Sequence, residues 1–250
     1  MANNSSIEWT EATWNPVVGC TIISPGCTNC YAMRMARRLE SMGQPKYAGT
    51  TRMSGGRPKW NGVVRIDEDS LSLPMKWKAG RMIFVNSMPD LFHEDVPLTF
   101  IKRVFATMQA TPLHTYQILT KRAERLEELS PELQWPDNVW MGVSVENEDY
   151  TFRIDHLRRT QAAIKFLSLE PLLGPLNNLN LTSINWVIAG GESGPNSRLV
   201  EPIWIRNIRD QCFDAQVAFH FKQWGGANKK KTGRLLDGRT WDDFPASAIS

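Results

Sequence analysis

The sequence predicts an α/β fold, a partial or complete (β/α) barrel of about seven mostly parallel strands. Short β-rich runs recur after residue 80, each near-continuously apolar and each ending in polar or glycine residues, as strands covered on both faces do. Between several of them lie stretches with the i, i+3, i+4, i+7 apolar spacing of an amphipathic helix. Strands alternating with helices pair in parallel through right-handed crossovers. The 250 residues suffice for one such domain, and 1–250 is read as a single unit.

In chain order, WNPVVG (14–19) is read as the first strand. CYAMRMARRLESMG (30–43) reads as a helix, with Arg37 and Arg38 in its C-terminal half, Gly43 at C′ and Thr28 or Asn29 as candidate N-caps. Residues 44 to 80 interrupt the rhythm with Gly55-Gly56, Pro58, Pro74, an acidic run at 67–69, and basic residues interleaved with Trp60 and Trp77. They are taken as an insertion. Further strands are expected at 81–87, 115–122, 139–146, 163–171, 184–193 and 217–225. Ile101, Val104, Phe105 and Met108 form one helical stripe, and Trp204, Ile205, Ile208 and Cys212 another. Residues 149–159 are a third candidate helix, 171–183 read as loop, and 226–250 form a basic extension.

The net charge of +3 permits an anionic partner without demanding one. The longest apolar runs, such as WVIAGG, are strand-sized, so no membrane span is expected. The N-terminal stretch has neither a basic n-region nor an apolar h-region, which favours a cytoplasmic protein. In that compartment clustered thiols mean metal binding or catalysis more often than disulfides.

Barrel chemistry sits at strand C-terminal ends. This singles out Asn86 and Ser87, Lys121 and Arg122, Ser144 and Glu146, Glu170, and Gly190, Gly191 and Glu192, although any strand must end in something polar. Glu170 closes an apolar strand, where it could bind substrate or move a proton. Lys121 and Arg122 read equally as an anion site or a solvated pair. His93 is a candidate to line the mouth, and His220 reads as a core residue.

Three of the four cysteines, Cys20, Cys27 and Cys30, stand in a C-x6-C-x2-C array, with Ser24-Pro25-Gly26 as a turn between the first two. Cys30 falls at the start of the predicted helix, where free N–H groups favour a thiolate. Thiolate sets select zinc or iron–sulfur centres, and structural zinc wants four ligands. Cys212 lies on an apolar stripe and reads as core. Three thiols without an obvious fourth suit a 4Fe–4S cluster with one open iron.

A three-cysteine loop after the first strand of such a barrel resembles the radical S-adenosylmethionine (SAM) superfamily. The usual superfamily spacing is C-x3-C-x2-C with an aromatic before the third cysteine; here the first gap is longer, Asn29 precedes the third thiol and Tyr31 follows it. GCTIISPGCTNCYA, FVNSMPDLFH, LTKR, WMGVSVEN, SLEPLLGPL, VIAGGESG, FKQWGG and GRLLDGRTWDDFP together resemble, more narrowly, an uncharacterised phage-associated family. That family carries a three-Cys motif and is regarded as radical-SAM-like. The resemblance covers almost the whole chain.

It implies an enzyme holding a 4Fe–4S cluster on Cys20, Cys27 and Cys30, with SAM on the open iron and a flavodoxin- or ferredoxin-type reductant protein as partner. Cofactor contacts would come from Tyr31, from Asn86 and Ser87 where the superfamily holds the methionyl amine, from Ser144 and Glu146, and from Gly190, Gly191 and Glu192 beside the adenine. Independently of the resemblance, Lys121 and Glu170 are the catalytic candidates that the strand ends offer. The superfamily's Gly-Gly-Glu motif normally follows the second strand, so its role is not carried over to residues 190–192. The rival expectation is a non-enzymatic nucleic-acid-binding protein with a structural iron–sulfur or zinc clip, its basic insertion and tail holding phosphates and its tryptophans stacking bases, although the net charge alone favours a solvated surface with core tryptophans. A degenerate barrel with reduced, metal-free thiols is the third.

Overall fold

The computed structural model describes Ser5 and residues 7–246. In chain order its elements are β1 (Ala12–Trp14), β2 (Val17–Val18), α1 (Tyr31–Ser41), β3 (Thr51–Ser54), β4 (Arg57–Trp60), β5 (Arg65–Ile66), β6 (Met82–Val85), α2 (Leu98–Gln109), β7 (Thr115–Thr120), α3 (Ala123–Leu129), β8 (Val139–Ser144), α4 (Phe152–Arg158), β9 (Ile164–Leu169), β10 (Trp186–Gly190), α5 (Pro202–Asp214), β11 (Ala218–Gln223) and α6 (Lys229–Thr232). Seven strands form one sheet in the order β1-β6-β7-β8-β9-β10-β11, every neighbouring pair parallel. Among the described residues β11 does not pair with β1. The sheet is a curled half-barrel, the partial form of the expected architecture.

Side chains alternate across the strands with period two. One set, including Ile83, Val85, Ile118, Met141, Val143, Leu167, Val187 and Phe221, packs under the helices with Ile101, Val104, Leu126, Ile154, Ile205 and Cys212. The other set, Phe84, Trp140, Phe166, Trp186 and Ile188, gathers around Trp9 on the opposite face, with Phe244 against it. The Trp9 ring lies 4.6 Å from Phe84 and meets Trp186 edge-on at 6.1 Å, geometries favoured by the aromatic quadrupole. Gly142 makes room for Phe166, whose ring would lie 2.4 Å from a Cβ there. Aromatic residues therefore fill the N-terminal half of the inner face. Towards the strand C-termini the same face carries Ser144, Ser168 and Gly190, which are small.

The first strand lies elsewhere than expected. Ala12–Trp14 pairs with Ile83–Val85 in the main sheet, whereas Val17–Val18 turns away and pairs antiparallel with Arg65–Ile66. Pro16, without an N–H, cannot continue the ladder. Instead, Asn86 bridges the break: its N–H donates to Trp14 O at 2.7 Å and its Oδ1 accepts from Val17 N at 3.3 Å. α3 is an addition to the expected elements. AERLEEL is a helix whose Ala123 and Leu126 are buried beneath charged neighbours.

α1 keeps its own small core of Val18, Ala32, Met33, Ala36, Tyr47 and Trp60. The insertion supplies Tyr47 and Trp60 to that core, and its β3–β4 hairpin covers α1. Trp60 is buried, and Trp77 packs partly buried against the main core with Arg81 over its ring. Trp60 covers α1 and Trp77 packs on the main core, the core role that the net charge favours over base stacking. The C-terminal extension folds back on β11, where Trp241 O accepts from Phe221 N at 2.9 Å and Phe219 O from Asp243 N at 3.3 Å. Among the described residues no helix is long and apolar enough to cross a membrane.

Candidate functional site

The loop from Cys20 to Cys30 lies across the C-terminal ends of the parallel strands, held by side chains those ends supply. Glu146, two residues past β8, is fully buried. Its Oε1 accepts from the Ser24 hydroxyl at 2.5 Å and lies 3.3 Å from Lys121 Nζ; its Oε2 accepts from Arg153 Nη1 at 2.9 Å. Burial would raise this carboxyl, but the Lys121 charge, the Ser24 hydroxyl and Arg153 outweigh it and hold the pKa below the ordinary range. Gly26 presses on the same carboxylate: a Cβ there would stand 2.4 Å from Glu146 Oε1.

Glu192, past the end of β10, anchors the other half of the loop. Its Oε2 accepts from Asn29 Nδ2 at 3.0 Å and from Arg198 N at 2.9 Å, and Arg198 also pairs with it through the guanidinium. Arg198 Nη2 reaches on to Pro25 O at 3.0 Å, and Lys59 Nζ donates to Thr28 O at 2.9 Å. At the front of the loop, Arg122 Nη2 donates to Thr21 Oγ1 at 2.6 Å. Arg122 is itself fixed by Asp90 at 3.0 Å and Glu94 at 2.9 Å. Asp90 also accepts from Thr120 Oγ1 at 2.7 Å and Lys121 N at 3.1 Å. His93 Nδ1 accepts from Asp95 N at 3.2 Å, so Nε2 carries the proton and donates to Thr21 Oγ1 at 2.9 Å. Burial, then the Arg122 charge, lowers the His93 pKa and keeps the ring neutral.

Thr21, Ser24, Pro25, Thr28 and Asn29 are thus all tied down, while the sulfurs have only weak contacts. Cys20 Sγ lies 3.5 Å from Thr21 O and Cys27 Sγ 3.7 Å from Ser24 Oγ. Burial pushes the Cys20 thiol up to about 12, Asp90 adding to the shift and Arg122 opposing it. Burial also raises Cys30, against the N–H groups of Ala32 and Met33 and the Lys121 charge. Burial thus favours the protonated form of Cys20 and Cys30, whose protons a metal centre would have to displace.

Cys30 occupies the N-cap of α1, and no side chain caps the helix. The expected caps are corrected: Asn29 turns to Glu192 instead, and the Thr28 carbonyl meets Lys59. Gly43 ends the helix at φ 76°, as a C′ glycine does.

The remaining sequence-predicted residues divide. Tyr31 donates its hydroxyl to Ser87 O, joining α1 to the end of β6, and Ser87 Oγ donates to Asn15 Oδ1 at 3.3 Å. Asn86, at φ 56°, keeps a buried Nδ2 without a partner among the described residues. Lys121 lies beside Glu146 and electrostatically near Cys30. Glu170 accepts from Lys222 Nζ at 2.6 Å and Gln223 Nε2 at 3.2 Å on the far side of the sheet end. Ser144 is buried, its carbonyl taken by Arg153 at 2.8 Å. At Gly191 the missing side chain makes room for Trp224 O, which would lie 2.1 Å from a Cβ, and at Gly190 the nearest atom is Lys222 Cβ at 3.4 Å. Arg153, Arg198, Ser24 and Asp90 carry no mark of a site in the sequence, because each acts through a partner distant in the chain.

The fourth cysteine stands apart from the loop. Cys212 is fully buried under α5 in the main core, and its thiol is raised by burial alone, with no other thiol acting on it. His93 has both ring nitrogens engaged. Among the described residues no three His, Cys, Asp or Glu side chains are grouped as a single metal ion requires.

Fold and site together define an α/β half-barrel protein with a braced three-thiol loop at the sheet's C-terminal end. The chain belongs to the DUF5131 family, described as a protein of unknown function, whose model matches residues 4–245. No curated protein and no solved structure matches it.

Proposed function

We propose that the chain is a radical SAM enzyme in which Cys20, Cys27 and Cys30 hold a 4Fe–4S cluster, leaving one iron open to S-adenosylmethionine. The observation that carries this reading is the loop itself: every anchor falls on a residue between the cysteines, and the three thiols are left over. Such bracing by a supporting shell is what a preorganised ligand set needs. When bound, the cluster would supply one electron to the sulfonium of SAM, whose cleavage provides a hydrogen-abstracting radical.

The chain's own residues would do the rest. Asn86 Nδ2, a buried donor lacking a partner among the described residues, would take an acceptor atom of SAM beside β6. Tyr31 would close the same side through its bond to Ser87. The Glu170–Lys222 pair can hold or exchange a proton at Oε2 on the opposite side of the mouth. Glu146 and Lys121 would act by positioning, because the carboxylate is saturated. A flavodoxin- or ferredoxin-type reductant and a cytoplasmic setting belong to the same proposal.

Anaerobic reconstitution of the full chain tests it. The expected result is about four irons per chain, with 5′-deoxyadenosine released on adding SAM and dithionite, and loss of both in a triple Cys→Ser variant. Colourless, iron-free material indifferent to SAM would overturn it. One bound zinc would favour a structural clip.

A further inference from the structure

Beside the thiol loop, a cleft of 240 Å3 opens between α1, the β3–β4 hairpin and the turn after β10. Arg34, Arg57 and Lys59 line it, and among the described residues no Asp or Glu does. Cys30 forms part of its wall. Lys59 is partly engaged with Thr28 O at 2.9 Å, but neither Arg34 nor Arg57 has a side-chain hydrogen bond or ion pair among the described residues. That sets them apart from Arg122, Arg153, Arg159 and Arg198, each of which is paired with a carboxylate.

Arg34 is also placed, not merely exposed. Its guanidinium lies over Gly194, where φ is 106° and a Cβ would stand 2.2 Å from Nη2. The turn is shaped to receive the planar group. Asn29 Nδ2 donates to Asn196 O at 3.0 Å and ties this wall to the thiol loop. Two unpaired guanidiniums facing one space, with an ammonium beside them, suit a phosphoryl group, which accepts forked N–H donors.

We propose that this cleft binds the phosphate of the substrate, and that the substrate is a phosphate ester, either a free nucleotide or a single-stranded nucleic acid. Its phosphate rests on Arg34 and Arg57, and the rest of the molecule extends past Cys30 towards the thiol centre. The site does not use the tryptophans of the insertion, which pack against the protein's own cores. As a substrate site it rests on the function proposed above; as a phosphate site it stands without it, since neither arginine touches the thiols' anchors.

Binding measured on the full chain, before and after anaerobic reconstitution, separates the two. The probes are pyrophosphate, a nucleoside monophosphate and a fluorescein-labelled ten-nucleotide single strand, titrated from 50 to 200 mM salt. The paired variant Arg34→Gln/Arg57→Gln should weaken whichever probe binds by about tenfold or more. For the strand it should reduce the slope of log K against log salt by about 0.7 for each phosphate that is no longer neutralised. Arg37→Gln, on the same helix and paired with Glu40, should leave both unchanged. Strand binding with weak mononucleotide binding identifies the strand; the reverse identifies the nucleotide. Failure of all three probes to bind, or equal binding by wild type and the paired variant, overturns the phosphate site. Protein that takes up no iron on reconstitution yet binds phosphate with this arginine dependence overturns only the link to the thiols.

Discussion

Glu146→Gln should cost about 3–5 kcal/mol and loosen the thiol loop. Glu146 is fully buried, and three donors converge on it: Ser24 at 2.5 Å, Arg153 at 2.9 Å and Lys121 at 3.3 Å. Glutamine keeps the shape but removes the charge, and its amide turns a donor towards either Ser24 or Arg153. Arg153, itself buried, then lacks its counter-charge, and breaking a buried pair on one side costs about 3–5 kcal/mol. That is a large part of the roughly 5–15 kcal/mol that stabilises a domain. At about 2–4 °C per kcal/mol for a chain near this size, the midpoint should fall by about 6–20 °C. Urea denaturation gives the free energy, and the labelling rate of the free thiols by an aromatic disulfide reports on the loop. Both should change together. Ser24→Ala, which removes one hydrogen bond to a charged group, should cost only about 1.5–3 kcal/mol. The sign with pH follows from the lowered carboxyl: its contribution is complete above about pH 4.3 and is lost as pH falls through the folded value. A Glu146→Gln protein within 1 kcal/mol of wild type (about a fivefold change in the folding equilibrium), with unchanged thiol reactivity, would refute the idea that this carboxylate clamps the loop.

His220 is buried between Trp186 and Phe244 with neither ring nitrogen hydrogen-bonded among the described residues, and burial drags its pKa to about 4. The unfolded chain takes up a proton near pH 6.5 and the native chain does not, so about 3 kcal/mol should be lost between pH 6.5 and 4; His220→Phe should flatten urea-measured stability across that window, and an unchanged slope would contradict it. Gly191→Ala puts a Cβ 2.1 Å from Trp224 O and 2.8 Å from Val200 Cγ1, so it should cost about 1–3 kcal/mol in thermal unfolding, whereas a side chain facing an open adenine site would cost little. Cys212→Ala should cost about 1–2 kcal/mol of stability through a small cavity and leave the iron content of reconstituted protein unchanged. Loss of metal in that variant would place Cys212 among the ligands.

The parts legible in the sequence are those with a local cause. The strand runs at 81–87, 115–122 and 139–146 contain β6, β7 and β8, and the stripe of Ile101, Val104, Phe105 and Met108 lies buried on α2. The departures also have local causes. WNPVVG reads as one strand because its apolar residues run on, but Pro16 breaks the ladder and Val17–Val18 joins β5. AERLEEL is absent from the expected elements because its charges outnumber Ala123 and Leu126, the residues it buries. Glu146 and Glu192 are legible as strand endings that could meet a cofactor, whereas their carboxylates grip the chain itself.

The sequence by itself determined the alternation of strands and helices and the C-x6-C-x2-C array, because each is a matter of spacing between near neighbours. It also set the polar character of the strand ends. Only the tertiary structure decided what holds the array. Ser24 meets Glu146 across 122 positions and Asn29 meets Glu192 across 163. A hydroxyl or an amide carries no local mark of the carboxylate it will find. The curl of the sheet chooses that partner, by bringing the ends of β8 and β10 beneath a single loop.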